Sequence, residues 1–542
     1  MLRLALVIDS DPVCRYVGDL LEALAAGDAG SARRISLSAL VMPARRTDGK
    51  RDRGLTGVAQ GLVGFELASM RLLERWRRGI AERIGYLRAT PRDIRPLFAQ
   101  VISLSPGESP MFDESPDVVL VLGSWLPSRL LERCPGATAL QVEFGERPSR
   151  ALALAGFEEC WSGQDATRVR LYRLGKDGSR RLLVDGANRT KRLLSLNQAA
   201  IWDRALSLLA TRLRNPGVEA PRGLPDAADP PEGCGADLAG GNGPRAAMLA
   251  SYPLKVVGRG AKMAMQQARG QRQWSIAIYR RSEAGAIVGA PAVLRGAPAG
   301  TYPADPMLYR DPDTGRAYCF VEEVVRATRR GHIAVLGESD GRWSWLGVAI
   351  REPFHLSFPF LFRFKGDLYM CPESAESGEI RVYRCTGMPL EWELDTVLMR
   401  NVSATDTMLF PHAGRWWMLT NIDRARSPDH QSELHVFHAD SPLATDWQAL
   451  PGNPVRVDCR GGRNGGLEIR GGRIYRFGQL QSFNAYGQGL NRYEVTRLDA
   501  DAYEEVFREA IVPPPASGAH GIHTYSGIDG WLAVDLLGAR HA

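Results

Sequence analysis

The chain lacks the features that would place it in a membrane or in an oxidising compartment. No stretch approaches the roughly 18 apolar residues that a membrane-spanning helix needs. The chain begins with MLRLALVID, which is too short and too soon acidic for a secretory signal peptide. The eight cysteines are scattered and form no C-x-x-C pair, so neither a disulfide framework nor a zinc site is expected. These absences predict a cytoplasmic protein that has no metal and no cofactor.

Lysine is also scarce, with six residues against 62 arginines, and the net charge is +7. Basic and acidic residues alternate along the chain, and the only basic block is RWRR at 75–78. The charge therefore does not predict nucleic-acid binding. The basic helix expected around Arg71 to Arg78 is either a solvated surface or a peripheral contact with a membrane, and the sequence leaves both open. It also leaves the oligomeric state open.

A segment poor in large apolar residues divides the chain. It runs from Asn215 to Gly243 and reads NPGVEAPRGLPDAADPPEGCGADLAGGNG. Such a composition cannot bury enough apolar surface to offset the entropy lost on ordering. With 542 residues and 44% hydrophobic residues, the chain is long enough for more than one core. The predicted organisation is a first domain over 1–214, a linker over 215–250 and a second domain over 251–542.

The first domain has the pattern of an α/β fold. Short apolar strands are predicted over Leu2 to Ile8, Ile35 to Met42 and Val118 to Leu122. Helices are predicted after Asp11-Pro12 and from Leu62 to about Ile80, where apolar residues recur at helical spacing. Alternating strands and helices indicate a doubly wound parallel sheet. The first strand is not followed by G-x-G-x-x-G, so a dinucleotide fingerprint is absent.

This domain resembles the formyltransferase domain of methionyl-tRNA and sugar-nucleotide formyltransferases. The resemblance lies in the order of elements through PDVVLVLG at 116–123, ALQVEFG at 139–145 and TRVRLYRL at 167–174. It implies formyl transfer from formyltetrahydrofolate by an Asn, an Asp and the His of a His-Pro-Ser motif. That motif should fall near 142–146, where the chain reads VEFGE, and no histidine precedes His332. The expectation is a degenerate domain that kept the fold and lost the activity.

The second domain contains a repeat. A glycine followed by a strand with an aromatic residue recurs at Gly315, Gly366, Gly414, Gly472 and Gly530, 48 to 58 residues apart. An apolar run precedes most of these glycines, as a hairpin with a tight glycine turn requires. Copies at this period predict a five-bladed β-propeller, in which HAGRWWMLT at 412–420 is the hairpin of the third blade.

Polar residues open each repeat, at the strand expected to line the propeller axis. They are Asp305 in the first repeat, His355 in the second, Asp406 in the third, Arg463 and Asn464 in the fourth, and His523 in the fifth. Asp-Pro and Thr-Asp also begin turns, which is the structural alternative. A carboxylate at Glu373 follows the second strand of its repeat and could reach the same place or be a solvated loop acid. Trp343, Trp345, Trp416 and Trp417 could stack on a sugar, but packing between blades is favoured.

Residues from about 274 to 535 resemble the N-terminal propeller-like domain of plant glucosamine inositolphosphorylceramide transferases and bacterial relatives. The matching stretches are DP at 305–306, EPFHLSFP at 352–359, PES at 372–374, GRWW at 414–417, NPV at 453–455 and YG at 486–487. The plant proteins carry their glycosyltransferase in a separate C-terminal domain, whereas about ten residues follow Leu532 here. More distantly, the layout is similar to five-bladed glycoside hydrolases, in which an Asp-Pro holds the general base.

The resemblance implies glycosyl transfer or hydrolysis on a sugar nucleotide or a lipid-linked glycan, in surface polysaccharide or glycolipid synthesis. Such chemistry needs one carboxyl as acid and another as base or nucleophile. The candidate catalytic residues are Asp305 as base, Asp406 as its partner and Glu373 as acid. The candidate substrate-binding residues are His355, Arg463, Asn464, Gln479, Tyr486 and His523. Two alternatives stay open: a glycan-binding or scaffold protein without catalysis, and a formyltransferase-type activity.

Overall fold

The computed structural model of the protein describes residues 91–214 and 246–538 apart from gaps at 106, 123–125, 128, 147–151, 178, 269–272, 283–285, 293, 297, 423–429 and 484–485. Before residue 91 it describes 2–8, 13–14, 17–18, 21–22, 25, 35–43 and 61–66. The chain divides into unit 1 (1–220, 226–261 and 425–429) and unit 2 (221–225, 262–424 and 430–542). The predicted linker lies outside the described residues up to 245, and its last residues, 246–250, are helical.

Unit 1 contains a seven-stranded sheet with the strand order β5-β3-β1-β6-β7-β8-β9. Its strands, with the separate short pair β2 and β4, are β1 Leu2–Ile8, β2 Val13–Cys14, β3 Ile35–Pro43, β4 Pro91–Arg92, β5 Gln100–Leu104, β6 Val118–Leu122, β7 Thr138–Phe144, β8 Ala166–Leu174 and β9 Arg180–Arg189. The helices are α1 Leu130–Arg133, α2 Phe157–Ser162, α3 Leu194–Arg214 and α4 Ala246–Ala268, with 3₁₀ turns at Arg95–Leu97 and Leu152–Leu154.

The three predicted strands of unit 1 are present and are parallel neighbours in the sheet. They are mostly apolar, as strands covered on both faces are, and Arg3, Ser36 and Ser38 are the polar exceptions. The strands β8 and β9 are antiparallel, and β8 alternates buried with partly exposed residues because one of its faces meets solvent. Few helices are described, and the predicted helix over 62–80 is described only at 61–66. The doubly wound α/β layering and its formyltransferase likeness are therefore not shown.

The helix α3 begins at a buried carboxylate. Glu66 is fully buried and accepts hydrogen bonds from the backbone N–H of Leu194 at 2.7 Å and of Ser195 at 3.0 Å. The Tyr252 hydroxyl donates to the same carboxylate. The first N–H groups of a helix have no partner within the helix, and a carboxylate there also complements the helix dipole. Glu66 thus fixes the start of α3.

Unit 2 is a five-bladed propeller, as predicted. Blade 1 consists of β13 Thr301–Arg310, β14 Ala317–Val325, β15 Arg330–Ser339 and β16 Arg342–Ile350, with β12 Leu294–Arg295 added at its edge. Blade 2 consists of β17 Ser357–Phe364, β18 Asp367–Glu373, β19 Glu379–Gly387 and β20 Glu391–Arg400. Blade 3 consists of β21 Ala404–His412, β22 Arg415–Ile422, β23 Glu433–Ala439, β24 Gln448–Ala449 and β25 Arg456–Val457.

Blade 4 consists of β26 Arg460–Arg470, β27 Arg473–Leu480, β28 Gly489–Leu498 and β29 Tyr503–Ile511. Blade 5 combines both ends of the unit: β30 Tyr525–Ile528 and β31 Trp531–Leu537 pair with β10 Trp274–Arg281 and β11 Ile287–Ala292. Further 3₁₀ turns lie at Ala375–Ser377 and Pro515–Ser517. Each innermost strand contacts the next around the ring, and β30 contacts β13, so the ring is closed.

The five repeat glycines occupy the turn between the first and second strand of each blade. Their φ angles are all positive, from 70° at Gly315 to 96° at Gly366. Glycine reaches this region without the steric cost that a Cβ brings, which explains the recurrence of glycine at the turn. The predicted hairpin at 412–420 is present, and His412 lies opposite Arg415.

The propeller core lies between the blades. Phe362, Leu409, Met418 and other apolar residues of blades 2 and 3 form one such layer. The tryptophans pack as favoured: Trp343 is fully buried, and Trp416 and Trp417 are 9% and 2% exposed. Among the described residues of the chain, no helix is long and apolar enough to cross a membrane.

Candidate functional site

The innermost strands of blades 1, 2 and 3 share an irregularity. Strand pairing shifts register around Asp305, Phe358 and Asp406, and these residues have φ angles of 48°, 43° and 47°. A left-handed conformation costs a non-glycine residue about 1–2 kcal/mol, so the surrounding structure must hold it. The two aspartates thus lie in bulges within strands and do not begin turns. A bulge re-aims a side chain, and here both carboxylates reach groups of neighbouring blades.

The second strand of each blade contributes a polar residue close to the bulge position of the innermost strand. Glu322, Glu373 and Asn421 pair with the residue that precedes the bulge in blades 1, 2 and 3. In blade 4, Gln479 follows Gly478, the partner of Asn464, and in blade 5, Asp535 follows Val534, the partner of Tyr525. We call the cluster of Asp305, Glu322, His355, Glu373, Asp406, Arg463, Tyr486, His523 and Asp535 the axial site.

Asp305, His523 and Asp535 form a chain of charges at one side of the axial site. The imidazole of His523 lies between two carboxylates, with Nε2 3.1 Å from Asp305 Oδ1 and Nδ1 2.5 Å from Asp535 Oδ2. Burial alone would lower the pKa of His523, but the charges of Asp535 and Asp305 outweigh burial and raise it to about 10. His523 is therefore an imidazolium at neutral pH.

Asp305 is ionised and pairs with the His523 imidazolium. Its Oδ1 accepts from the Thr524 hydroxyl at 2.8 Å, and its Oδ2 accepts from the Phe358 N–H at 3.2 Å. Burial alone would raise the pKa of the Asp305 carboxyl, but the His523 charge and the hydrogen bonds of His523 and Thr524 lower it to about 2. Asp305 thus carries a negative charge at any ordinary pH.

Asp406 and Glu373 share one guanidinium at the other side. Arg463 donates from Nε and Nη2 to the two oxygens of Asp406, at 2.5 and 3.1 Å, and from Nη2 to Glu373 Oε2 at 3.3 Å. Burial and the charge of Asp406 raise the pKa of Glu373 to about 8, although the Arg463 charge opposes this. Two adjacent carboxyls with one cation between them favour a proton on one of them. Burial also raises the pKa of Asp406, but the bidentate bond from Arg463 favours its ionised form, so we expect the proton on Glu373.

The Glu373 side chain is 11% exposed, so it is not the solvated loop acid of the structural alternative. Its environment and that of Asp305 push the two pKa values in opposite directions, to about 8 and about 2. Groups separated in this way can serve as a proton donor and an anionic partner at the same pH. The axial site therefore offers the two states that acid–base chemistry needs.

His355 and Glu322 lie at the more open part of the axial site. His355 is 32% exposed, and its Nε2 lies 3.2 Å from Glu322 Oε1. Burial alone would lower the pKa of His355, but the hydrogen bond and the charge of Glu322 raise it to about 9. The N–H of Gly331, which donates to Nδ1 at 2.9 Å, opposes this by favouring the neutral ring. Burial, with the nearby Asp305 charge, raises the pKa of Glu322.

Two aromatic rings border the imidazolium. The Trp274 ring centroid lies 4.0 Å from that of His523, and Tyr486 lies 5.3 Å from it. The Arg463 guanidinium lies 5.4 Å from the centre of the Tyr486 ring. Both rings are partly exposed, and an exposed aromatic face beside polar groups suits the apolar face of a sugar ring.

Asn464 and Gln479 hold Asp406 in place. The Asn464 amide donates to the backbone oxygens of Asp406 and Leu419, at 2.9 and 3.1 Å. Gln479 donates to Asp406 Oδ2 at 3.1 Å and to the Asn464 backbone oxygen at 2.7 Å. Both side chains are at most 1% exposed. The structure therefore gives these two candidate binding residues a supporting position below Asp406, and brings the other seven candidates together in the axial site.

One group in the described part of the chain has the spacing of a metal site. Asp305, His523 and Asp535 bring one ligand atom each within 4.8 Å of one another. The ring nitrogens of His523 already pair with the two carboxylates, at 3.1 Å from Asp305 and 2.5 Å from Asp535, and the raised pKa of His523 favours a proton on each nitrogen. A cation there would compete with those protons, so the donor set fits the ion pair better than a metal ion.

Residues 282–527 match the model of a known protein family. Its description is glucosamine inositolphosphorylceramide transferase 1, N-terminal. The rice protein of that name, from Oryza sativa subsp. japonica, is 37% identical over 216 residues, which cover 38% of this chain and 28% of the rice protein. The Arabidopsis thaliana protein is 34% identical over 208 residues, which cover 38% and 26%. The chain thus matches little more than a quarter of the length of these relatives. The family match begins at residue 282 and leaves the formyltransferase resemblance of unit 1 unsupported.

Solved structures with a similar arrangement are glycoside hydrolases of low identity. The family 117 enzyme Zg3597 of Zobellia galactanivorans is 11% identical, covers 50% of this chain and 92% of its own, and has a TM-score of 0.32. The β-fructofuranosidase BmSUC1 of Bombyx mori is 11% identical, covers 53% and 62%, and has a TM-score of 0.34. Likeness at this level does not bear on substrate or on residue roles.

Three residues of the site were not among the predicted site residues. Asp535 lies in the apolar stretch WLAVDLL, where a lone carboxylate is itself a signal, since buried charges are paired. Glu322 lies in the second strand of its blade, at the position that Glu373 has in blade 2; the sequence pattern marks both, but only Glu373 was taken as a candidate site residue. Trp274 is the first residue of β10, the strand that pairs with β31 to close the ring. It lies outside the repeats, so the repeat pattern does not indicate it.

Proposed function

We propose that unit 2 is a carbohydrate-active domain whose axial site carries out glycosyl transfer or hydrolysis. The observation that carries the proposal is the arrangement of carboxyls in the axial site: Glu373 and Asp406 share the Arg463 guanidinium, and Asp305 pairs with His523. These contacts raise the pKa of Glu373 to about 8 and lower that of Asp305 to about 2. Glycosyl chemistry uses one carboxylic acid and one carboxylate around the bond that breaks. The relatives named as glucosamine inositolphosphorylceramide transferases support a sugar as the ligand.

In this proposal Glu373 protonates the departing oxygen, and Asp305 stabilises positive charge at the sugar or accepts a proton from the attacking group. Asp406 and Arg463 keep the Glu373 proton available. His355, Tyr486 and Trp274 contact sugar hydroxyls and ring faces. The sugar donor in this proposal is either a sugar nucleotide or a glycan. The reaction belongs to the synthesis of surface polysaccharide or glycolipid.

A binding protein without catalysis is the second candidate. It is favoured by the saturation of Asp305, because His523, Thr524 and the Phe358 N–H already bond to its two oxygens. Formyl transfer is not proposed, since no histidine precedes His332 to supply the imidazole of that family.

The experiment that separates these candidates is a turnover screen of the full chain on oligosaccharides and aryl glycosides, with Asp305→Asn as the variant. For an enzyme, we expect turnover to fall by about 10³-fold or more, while binding of the same glycan, measured by calorimetry, changes little. A protein that binds a glycan but never turns any over, as wild type or variant, would reject the catalytic proposal and support the binder.

A further inference from the structure

Every cationic side chain among the described residues of the axial site already has carboxylate partners. Arg463 binds Asp406 and Glu373, and His523 lies between Asp305 and Asp535. His355 faces Glu322, with Nε2 3.2 Å from Oε1. The site therefore assembles five carboxyl groups (Asp305, Glu322, Glu373, Asp406 and Asp535) around one guanidinium and two imidazole rings.

This arrangement is a poor receptor for a diphosphate. Proteins bind phosphate groups with arginine forks, lysines, helix N-termini or a bound metal ion. Here the one guanidinium has its fork occupied by Asp406, and the imidazolium is held on both nitrogens. A phosphate at the centre would face carboxyl groups from blades 1, 2, 3 and 5. Charge alone thus selects against a nucleoside diphosphate sugar.

The leaving group leads to the same conclusion by a separate route. A nucleoside diphosphate departs as a stabilised anion and needs no proton from the protein. The oxygen of a glycosidic bond departs as an alkoxide, which is a strong base, unless an acid protonates it. Glu373 is placed to be that acid, because it shares a single guanidinium with Asp406 and lies in a buried position beside it.

We propose that the axial site takes an O-glycoside, a sugar joined through oxygen to an alcohol or to another sugar, and not a sugar nucleotide. This inference rests on the proposed function and narrows its donor. The bond from the anomeric carbon to the glycosidic oxygen breaks, and the Glu373 proton passes to that oxygen to release the alcohol. A bond forms from the anomeric carbon to the oxygen of water or of an acceptor alcohol, whose proton passes to a carboxylate of the site. The products are the released alcohol and the free or transferred sugar, with no oxidant or other reactant needed.

The test measures how the reaction depends on the leaving group. The full chain is assayed on methyl, 4-nitrophenyl and 2,4-dinitrophenyl glycosides of glucose, N-acetylglucosamine, galactose, mannose, xylose and arabinose. Wild type is compared with Glu373→Gln, and Glu393→Gln serves as the control. Glu393 is an exposed carboxylate of blade 2 that pairs with Arg384 on an outer strand. In parallel, UDP-glucose, UDP-N-acetylglucosamine and GDP-mannose are tested for thermal stabilisation, with and without added Mg²⁺.

We expect Glu373→Gln to lower kcat/KM on methyl glycosides by about 10²- to 10⁴-fold and on 2,4-dinitrophenyl glycosides by less than about 10-fold. A good leaving group needs no acid, whereas a variant that merely misfolds would lose both substrates equally. Glu393→Gln should behave as wild type, and the nucleotide sugars should not raise the melting temperature.

Two results would overturn the inference and leave the proposed function in place. One is stabilisation by a nucleotide sugar that Glu373→Gln abolishes, and the other is equal loss on good and poor leaving groups in a variant that keeps its melting temperature. If neither glycosides nor nucleotide sugars bind or react, the proposed function fails together with the inference.

Discussion

The protonation of single residues determines what the axial site can do. Glu373 and Asp406 share one guanidinium, while Asp305 and Asp535 share one imidazolium. Each pair of carboxyls is thus bridged by one cation, but only the first has a carboxyl whose pKa is raised to about 8. The two pairs differ in geometry: His523 faces a different carboxylate with each nitrogen, whereas Arg463 makes a bidentate bond to Asp406 and only one longer bond to Glu373.

The first prediction concerns the pH dependence of turnover. The reaction needs Glu373 protonated, so kcat should fall as pH rises through about 8. Asp305 must be ionised, and because its pKa is about 2 it should impose no acid limb above pH 4. A pH–rate profile from 4 to 10 checks both. In Glu373→Gln the alkaline limb should vanish from the residual rate, and an unchanged limb in that variant would assign it to another group.

The second prediction concerns Asp535→Asn. Removing this charge should lower the pKa of His523 from about 10, since the Asp535 charge is the largest influence that raises it. Breaking a buried ion pair should also reduce the free energy of unfolding by about 3 kcal/mol at pH 6. The sign with pH follows from the raised pKa: the His523 contribution is complete below about pH 6.5 and is lost as pH rises towards 10. The variant should therefore lose less stability than wild type over that interval.

Histidine ring NMR titration and denaturant unfolding measure the two effects. Asp499→Asn is the control, because Asp499 pairs with Arg497 at the surface and should cost at most about 1 kcal/mol. An unaltered His523 titration in Asp535→Asn would refute the proposed chain of charges.

The residues of the axial site were predictable to the extent that the repeat reveals them. Asp305, His355, Asp406, Arg463 and His523 open successive repeats, and a propeller brings such positions together. The sequence could not show that Asn464 and Gln479 support Asp406 and do not themselves contact a ligand, because burial and hydrogen-bond partners determine this role. The protonation states were also beyond the sequence, since they depend on which oxygen faces which cation.

At the scale of the strand, the bulges and close glycine contacts set where the side chains lie. In β27, Gly478 pairs with Asn464, and a Cβ added there would lie 2.3 Å from the Gly461 backbone oxygen. At the tip of a hairpin, Gly414 has a φ of 78° and open space around it. Gly478 is required because a neighbouring backbone leaves no room for a Cβ, and Gly414 is required because its φ angle is positive.

The third prediction compares alanine at these two glycines. Gly414→Ala should reduce the free energy of unfolding by about 1–2 kcal/mol, the strain of a left-handed residue, and should leave glycan binding intact. Gly478→Ala should cost about 3 kcal/mol, because the backbone of β26 must move, and should weaken glycan binding through Asn464 and Asp406. Denaturant unfolding and calorimetry measure the two quantities. Equal effects of both substitutions would show that the β26–β27 contact does not position the site.

The sequence indicated the hairpins but not the bulges. The turn glycines have a fixed spacing to their flanking strands, so the pairing of each hairpin was predictable. Asp-Pro at 305–306 reads equally well as a turn, and the structure places it inside β13. The bulge is imposed by contacts to blades 2 and 5 that are distant in the chain, such as Asp305 to the Phe358 N–H.

At the scale of the whole molecule, the closure of the ring joins the two ends of unit 2. The strand β10 pairs with β31 over seven consecutive residues, and Ala277 lies opposite Val534 in the middle of that ladder. The same blade supplies His523 and Asp535 to the axial site, and Trp274 beside His523. Stability of the ring and formation of the site should therefore be linked.

The fourth prediction tests that link with Ala277→Pro. Proline removes a backbone donor from a central strand, which should cost about 3 kcal/mol or more and open blade 5. We expect the melting temperature of unit 2 and glycan binding to fall together. Ala277→Gly is the matched control and should cost about 1 kcal/mol with binding retained. If binding survives in the proline variant, blade 5 is not needed for the site.

The propeller was predictable as a whole because the glycine-turn repeat occurs five times in unit 2, whereas no such repeat was found in the sequence of unit 1. Three strands of unit 1 were predicted from apolar runs, whereas the stretch that forms β8 was noted only for a resemblance and β9 was not predicted. The helix expected around Arg71 to Arg78 lies outside the described residues, and its membrane contact stays a prediction.

The central claim is that Glu373 holds a proton at neutral pH while Asp305 is ionised. Difference infrared spectroscopy of the carboxyl stretch, with Glu373→Gln and Asp305→Asn used for assignment, measures both groups in the full chain. We expect Glu373 to be protonated at neutral pH and to titrate near pH 8, and Asp305 to stay ionised down to pH 4. A Glu373 that is fully ionised at pH 6 would rule out its role as the acid, since the site would then hold no proton donor.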